Sequence, residues 1–146
     1  MIACAKHYIG NEIEDPRHNS TSNIPEQAFW EIYLEPFYKS VKKGDVASIM
    51  ESYNAVNDTF MTRNKRLLQD ILKDTIGFNG FIMSDWWAIN SDSYEHFCNG
   101  CDMIMSGGTN ETGTITDGNW WKKYLIGLNK VILLKIELMI HIEELL

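Results

Sequence analysis

The sequence is poor in basic residues: 13 Lys and Arg stand against 20 Asp and Glu, and the formal net charge is −7. Nucleic-acid binding depends on clustered Lys and Arg that neutralise phosphates. The densest basic run, Arg63 to Arg66, falls at the start of a predicted helix, where a solvated surface is its simplest role. We therefore expect no nucleic-acid partner.

Cysteine is also scarce. Three cysteines are an odd number, so they cannot all pair within the chain. Cys98 and Cys101 have the spacing of a redox motif, but a strand-like run follows them instead of the helix that would lower a thiol pKa. No second cysteine pair or histidine cluster has zinc-ligand spacing. The sequence predicts no metal and no cofactor.

A secretory leader and a membrane span are both missing from the pattern. Met1 leads directly into a strand-like segment, without a basic region followed by a long apolar one. The apolar stretch from residue 125 to 146 is interrupted by charges that are costly in a membrane, so we expect no membrane association. Residues 129–146 instead predict an amphipathic helix.

Alternating strands and helices are what the sequence does contain. Apolar runs predict strands over residues 2–9, 46–50, 81–83 and 103–105, and helical patterns cover residues 25–43, 64–76 and 91–97. Asn23 is a plausible N-cap of the first helix and Gly44 its end. This alternation is typical of an α/β fold with a parallel sheet. No Gly-rich phosphate loop follows any strand, which disfavours a small doubly wound nucleotide-binding sheet.

Polar residues gather where three of the predicted strands end. Carboxyl ends of parallel strands meet at one edge, which carries the active site in β/α barrels. The four strands account for half of a barrel, since a closed barrel takes about 250 residues. The polar residues at the three strand ends are Lys6 and His7, then Ser52, Tyr53 and Asn54, then Ser84 and Asp85.

Asp85 is the most informative of these residues. It follows a short apolar strand and precedes Trp86 and Trp87. Aromatic rings stack on the apolar faces of sugars, and a carboxylate stabilises or attacks the positive anomeric carbon during glycoside cleavage. Taken alone, an aspartate in this position more often caps or supports the backbone. The aromatic neighbours favour a glycosidase site.

Five motifs follow one another along the chain: Lys6-His7-Tyr8 with Asn11-Glu12; Glu31-Ile32-Tyr33-Leu34 with Pro36-Phe37; Ile49-Met50 with Ser52-Tyr53-Asn54; Gly77-Phe78, Gly80-Phe81 and Met83-Ser84-Asp85-Trp86; and Gly100, Asp102-Met103 and Met105. In this order they resemble glycoside hydrolase family 3, in its β-glucosidase branch, from Ile2 to about Leu128. The resemblance implies that residues 1–128 are part of the family's N-terminal barrel domain, the C-terminal half of a (β/α)8 TIM-like barrel, and that residues 129–146 are a divergent tail.

The resemblance implies a retaining β-glucosidase that releases terminal glucose through a covalent intermediate on Asp85. Lys6 and His7 would bind sugar hydroxyls, and Tyr53, Trp86 and Met50 would line the same subsite. A cation such as Lys6 near the nucleophile would favour its charged form.

Retaining hydrolysis needs a second carboxyl as acid/base. The resemblance implies that this group lies in a sandwich domain that the chain does not contain, and Glu12 and Glu14 are better explained as solvated loop charges. We therefore expect negligible turnover from the isolated chain, and expect its partners to be the remaining barrel half and the sandwich domain. The parent enzyme is expected to be extracellular. The alternatives are a non-catalytic carbohydrate-binding or decoy protein, and a pseudogene product that does not fold.

Overall fold

A computed structural model describes residues 2–89 and 93–105. The expected helix over residues 129–146 lies outside this part, as does the stretch from residue 106 to 128 of the expected barrel domain. Within the described ranges, no helix combines the length and the apolar character needed to cross a membrane. The same ranges contain no group of three or more side chains arranged to hold a metal ion.

A parallel three-stranded sheet forms the centre of the fold. Its strands are β1 (Cys4–Tyr8), β3 (Ser48–Glu51) and β6 (Phe81–Met83), in the order β1-β3-β6. The register pairs Ala5 with Ile49 and Ile49 with Ile82. The predicted α/β class and the three parallel strands are confirmed, although the structure shortens the first strand at both ends.

The predicted first helix is built from three consecutive pieces. They are α1 (Glu26–Ala28), a π-helical turn (Phe29–Tyr33) and α2 (Glu35–Lys42). Asn23 as N-cap is wrong: Pro25 occupies the cap and no side chain caps the helix. Gly44 as the helix end is confirmed, since its N–H donates to the Lys39 carbonyl at 3.1 Å just after α2.

The second long helix covers the core face of the sheet. It is a π-helix over Arg66–Thr75, within the predicted residues 64–76. One side of it is buried, as the apolar spacing predicted, and packs in a single cluster with the central strands. The buried residues of this helix and the strand residues beneath them are Leu67, Leu68, Ile71, Leu72, Ile49 and Ile82.

A second, small sheet was not predicted. It pairs β2 (Thr21–Ser22) parallel to β4 (Ala55–Val56), which pairs antiparallel to β5 (Thr59–Phe60). Strands of two residues are too short to show a period of two in the sequence. Their positions depend instead on tertiary contacts, which the sequence pattern does not contain.

The chain after β6 differs from the prediction in one respect. The helix expected over residues 91–97 is α3 (Ser93–Cys98). The fourth strand, expected over residues 103–105, is wrong for the part of the chain that the structure describes: there, a single parallel bridge joins Met83 to Met103. The Asp102 carboxylate helps to explain why the strand does not extend. Its Oδ2 accepts the Ile82 N–H at 2.8 Å, in the place of the backbone carbonyl that a paired strand would offer.

Candidate active site

The carboxyl ends of β1, β3 and β6 form one edge of the sheet. This edge carries His7 from β1, Tyr53 just after β3, and Asp85 two residues after β6. Parallel pairing in the order β1-β3-β6 places all three ends side by side. The predicted gathering of polar residues at this edge is therefore present.

Asp85 is held by contacts to both of its carboxylate oxygens. Oδ2 lies 3.1 Å from Nε2 of His7, and Oδ1 accepts the backbone N–H of Trp86 at 2.7 Å. Only 8% of the residue is exposed. Two donors fix the orientation of the carboxylate, and a fixed, nearly buried carboxylate is suited to attack one defined carbon atom.

Tyr53 is coupled to Asp85 from the neighbouring strand end. Burial raises the pKa of the Tyr53 phenol, and the charge of Asp85 and a hydrogen bond to it raise the pKa further. The cation of Arg17 acts in the opposite direction. The phenol therefore keeps its proton at neutral pH and can donate a hydrogen bond to the Asp85 carboxylate.

Two residues at this site were missed by the sequence reasoning. Arg17 places its guanidinium carbon 4.0 Å from the centroid of the Tyr53 ring, and the His18 ring meets the same ring edge-on at 4.6 Å. Both belong to a short 3-10 helix, Arg17–Asn19, in the loop after β1. No spacing in the sequence marks them, because the path of that loop depends on tertiary contacts such as the small second sheet.

Ser52, Asn54 and Ser84 support the backbone of this edge. The Ser52 hydroxyl and the Asn54 amide donate to the Ile9 carbonyl at 3.1 and 3.2 Å. The Ser84 hydroxyl accepts the backbone N–H of Met105 at 2.9 Å. These three side chains are occupied in tying the strand ends together, so they shape the site without facing a ligand.

The remaining predicted residues surround the site at different depths. Trp86 is 43% exposed and can offer a ring face to a sugar, whereas Met50 is buried. Lys6 is exposed, and no ion pair joins it to Asp85 among the described residues. It borders a cavity of about 740 Å³ between the open edge of β1 and α2. Asp85 does not line that cavity.

Glu14 and Glu12, the loop carboxylates, remain peripheral. The Glu14 side chain is largely exposed and forms an ion pair with Arg17. Glu12 is exposed and lines the cavity beside Lys6. Neither is in contact with Asp85 among the described residues.

Glu51 is the most unusual carboxyl of the described chain, although its side chain interacts with Cys101, Asp102 and Lys73 and not with Asp85. It ends β3, is fully buried, and neither of its oxygens has a close hydrogen-bond partner. Burial raises the pKa of Glu51 to about 8, a weak hydrogen bond with the Cys101 thiol and the charge of Lys73 lower it, and the charge of Asp102 raises it. Burial therefore favours the neutral form of this carboxyl.

Comparison with known proteins gives consistent matches. The Glycosyl hydrolase family 3 N terminal domain matches residues 1–112. "Probable beta-glucosidase L" of Aspergillus terreus is 46% identical over 105 residues, covering 72% of this chain and 14% of that protein. A beta-glucosidase of Rhizobium radiobacter is 39% identical over 113 residues, covering 77% of this chain and 14% of that protein.

Solved structures match the described fold. The beta-glucosidase of Kluyveromyces marxianus, in complex with glucose, superposes with a TM-score of 0.69 at 39% identity, covering 75% of this chain and 13% of that one. Beta-glucosidase 3B of Thermotoga neapolitana, also in complex with glucose, superposes with a TM-score of 0.67 at 38% identity, covering 70% of this chain and 14% of that one. The chain thus spans about a seventh of the length of the proteins it matches.

Proposed function

This chain belongs to glycosyl hydrolase family 3, and we propose that it is the part of a retaining β-glucosidase that carries the nucleophile, Asp85. The parent reaction is the hydrolysis of terminal, non-reducing β-D-glucosyl residues from cellobiose, short β-glucans and aryl β-glucosides. The parallel strands would belong to the C-terminal half of a (β/α)8 barrel. The observation that carries the proposal is the nearly buried Asp85 carboxylate, held 3.1 Å from His7 at the carboxyl edge of the sheet.

The roles of the surrounding residues follow from their contacts. Asp85 attacks the anomeric carbon, and the bond from that carbon to the aglycone oxygen breaks; water later hydrolyses the resulting ester. His7 and Tyr53 hold the carboxylate in line for that attack. Trp86 offers its exposed ring to the apolar face of glucose. Lys6 would bind sugar hydroxyls from the rim, and Met50 would contribute apolar surface.

The acid/base is the role that we do not assign to this chain. Glu14 is engaged with Arg17 at the surface, and Glu12 lines a cavity that Asp85 does not line. We propose that the second carboxyl comes from a sandwich domain, and that the remaining half of the barrel completes the glucose subsite. Loss of an acid/base typically costs about 10²–10⁴ in rate, so the isolated chain should have negligible turnover.

A chimeric enzyme tests this proposal. Residues 2–105 would replace the matching segment of the Kluyveromyces marxianus β-glucosidase, and hydrolysis of 4-nitrophenyl β-D-glucoside would be measured beside the isolated chain. We expect a folded, active chimera, an inactive isolated chain, and a loss on the order of 10⁴-fold or more in the Asp85→Asn chimera.

The matched control is Asp58→Asn, which changes an exposed carboxylate that lies outside the proposed site. This chimera should keep the activity of the unchanged one. A folded chimera without turnover, or an Asp85→Asn chimera as active as its control, would contradict the proposal.

A further inference from the structure

Two side chains from one loop contact the ring of Tyr53. The guanidinium of Arg17 lies over the ring at 4.0 Å, within the range of a cation–π interaction. The His18 ring meets it at 4.6 Å with an interplanar angle of 67°, an edge-on contact. Tyr53 itself is only 5% exposed. The loop after β1 therefore contacts the Tyr53 ring with both a cation and a second aromatic group.

We propose that Arg17 and His18 are positioning residues that hold the Tyr53 hydroxyl against Asp85. This inference rests on the proposed function and deepens it, because it names what fixes the hydrogen bond to the nucleophile. Neither residue needs to touch the substrate for this role. Both act through the orientation of one phenol ring.

The loop that carries the two residues is itself fixed. Within it, the N–H of Arg17 donates to the Glu14 carbonyl at 3.2 Å, and the N–H of Asn19 donates to the Pro16 carbonyl at 2.8 Å. The Glu14 carboxylate pairs with the Arg17 guanidinium from the solvent side. An arginine restrained at its backbone and at its head group loses little further entropy when it stacks on a ring.

The loop is also tied to the backbone next to Tyr53. The N–H of Ala55 donates to the Ser20 carbonyl at 2.9 Å, and Thr21 pairs with Ala55 in the small sheet. Ala55 is two residues after Tyr53. The distance between the Arg17 segment and the tyrosine is therefore set by backbone hydrogen bonds, which explains how two loop residues keep a constant position on the ring.

Arg17 also changes the strength of the hydrogen bond that Tyr53 donates. Its charge lowers the phenol pKa, against the raising effects of burial and of Asp85. A more acidic phenol is a better donor to a carboxylate. When Asp85 forms its bond to the anomeric carbon it loses its charge, so the tyrosine must hold the carboxylate before the attack without becoming deprotonated. Arg17 and His18 fix the ring for that purpose.

The test measures the coupling between Tyr53 and Asp85 in this chain at neutral pH. The six tyrosines would be labelled with ¹³C at the ζ carbon, and Tyr53→Phe would assign the Tyr53 resonance. Asp85→Asn removes the anionic acceptor and should displace that resonance. The same displacement would then be measured in chains that also carry Arg17→Met, Arg17→Lys or His18→Ala.

We expect the displacement caused by Asp85→Asn to shrink at least about twofold when Arg17 becomes Met, as for residues that act as a unit. His18→Ala should shrink it as well, and Arg17→Lys should restore part of it, because lysine keeps the charge without the planar group. The control is Arg63→Met. It removes an arginine 5.6 Å from the Phe60 ring, away from Asp85, and should leave the displacement unchanged.

Each outcome bears on a different claim. An equal displacement in the Arg17→Met, His18→Ala and unchanged chains overturns the inference and leaves the proposed function intact. If Asp85→Asn does not move the Tyr53 resonance even in the unchanged chain, the tyrosine–aspartate pair of the proposed site fails as well. If Arg17→Met prevents folding, as circular dichroism would show, the His18→Ala and Arg17→Lys chains decide the question.

Discussion

Glu51 makes the stability of this chain depend on pH in a direction opposite to that of most carboxylates. It lies at the end of the central strand, completely buried, and interacts with the Cys101 thiol. Its pKa is about 8 in the folded chain, against 4.5 as its ordinary value. The folded state therefore holds a proton that the unfolded state releases from about pH 4.5 upwards.

The free energy of unfolding should consequently fall as the pH rises from about 4.5 to about 8, and this contribution should change no further above pH 8. Each pH unit in that window costs a little over 1 kcal/mol. The window is about 3.5 units wide, which is 8 minus 4.5, so the full loss is on the order of 5 kcal/mol. Such a loss is comparable with the whole stability of many small domains.

Substituting Glu51→Gln keeps the shape of the side chain and removes the titration. Urea unfolding, followed by circular dichroism at a series of pH values from 5 to 9, should show the two chains diverging: similar near pH 5, with the Gln variant more stable above pH 8. The control is Glu12→Gln, an exposed carboxyl whose substitution should leave the pH dependence unaltered. Parallel pH profiles for the unchanged chain and Glu51→Gln would refute the reasoning.

Three further substitutions test the packing that positions the site, each by urea unfolding. Leu72→Ala should cost about 2–5 kcal/mol, because Leu72 is fully buried on the inner face of the π-helix, whereas Ile32→Ala, at a residue 65% exposed, should change stability by less than about 0.5 kcal/mol. Gly80→Ala should cost about 1–3 kcal/mol, because the added Cβ would lie 2.3 Å from the Ala47 carbonyl oxygen, and a cost near zero would contradict this contact. Asp102→Ala should cost about 1–3 kcal/mol by leaving the Ile82 N–H without an acceptor, and Asp102→Asn, which keeps an acceptor oxygen, should cost less.

The elements that position the site were predictable because they follow from periodicity and topology. The apolar runs gave β6 at residues 81–83 and the buried face of the Arg66–Thr75 helix. Parallel pairing then placed His7, Tyr53 and Asp85 at one edge. The face of the sheet to which the Lys6 and His7 side chains point could not be derived in the same way. The register of β1 is irregular between Ala5 and Tyr8, so simple alternation of side chains does not assign them.

The loop after β1 could not be predicted at all. Its course depends on β2, β4 and β5, and on contacts such as the Asn57 side chain, whose Oδ1 accepts the Ile24 N–H at 2.8 Å and whose Nδ2 donates to the Ile24 carbonyl at 3.1 Å. These contacts join residues 33 positions apart. For that reason Arg17 and His18 were found only in the structure.

Covalent trapping in the chimeric enzyme, where the glucose subsite is complete, tests the role of Asp85 most directly. 2,4-Dinitrophenyl 2-deoxy-2-fluoro-β-D-glucoside has a leaving group that needs no acid catalyst, and its fluorine slows hydrolysis of the intermediate. The chimera would be incubated with it, digested, and mapped by mass spectrometry beside its Asp85→Asn and Asp58→Asn variants. We expect one fluoroglucosyl group on Asp85, retained in Asp58→Asn and lost in Asp85→Asn. No label, or a label on another carboxylate that persists in Asp85→Asn, would contradict the assignment of Asp85 as the nucleophile.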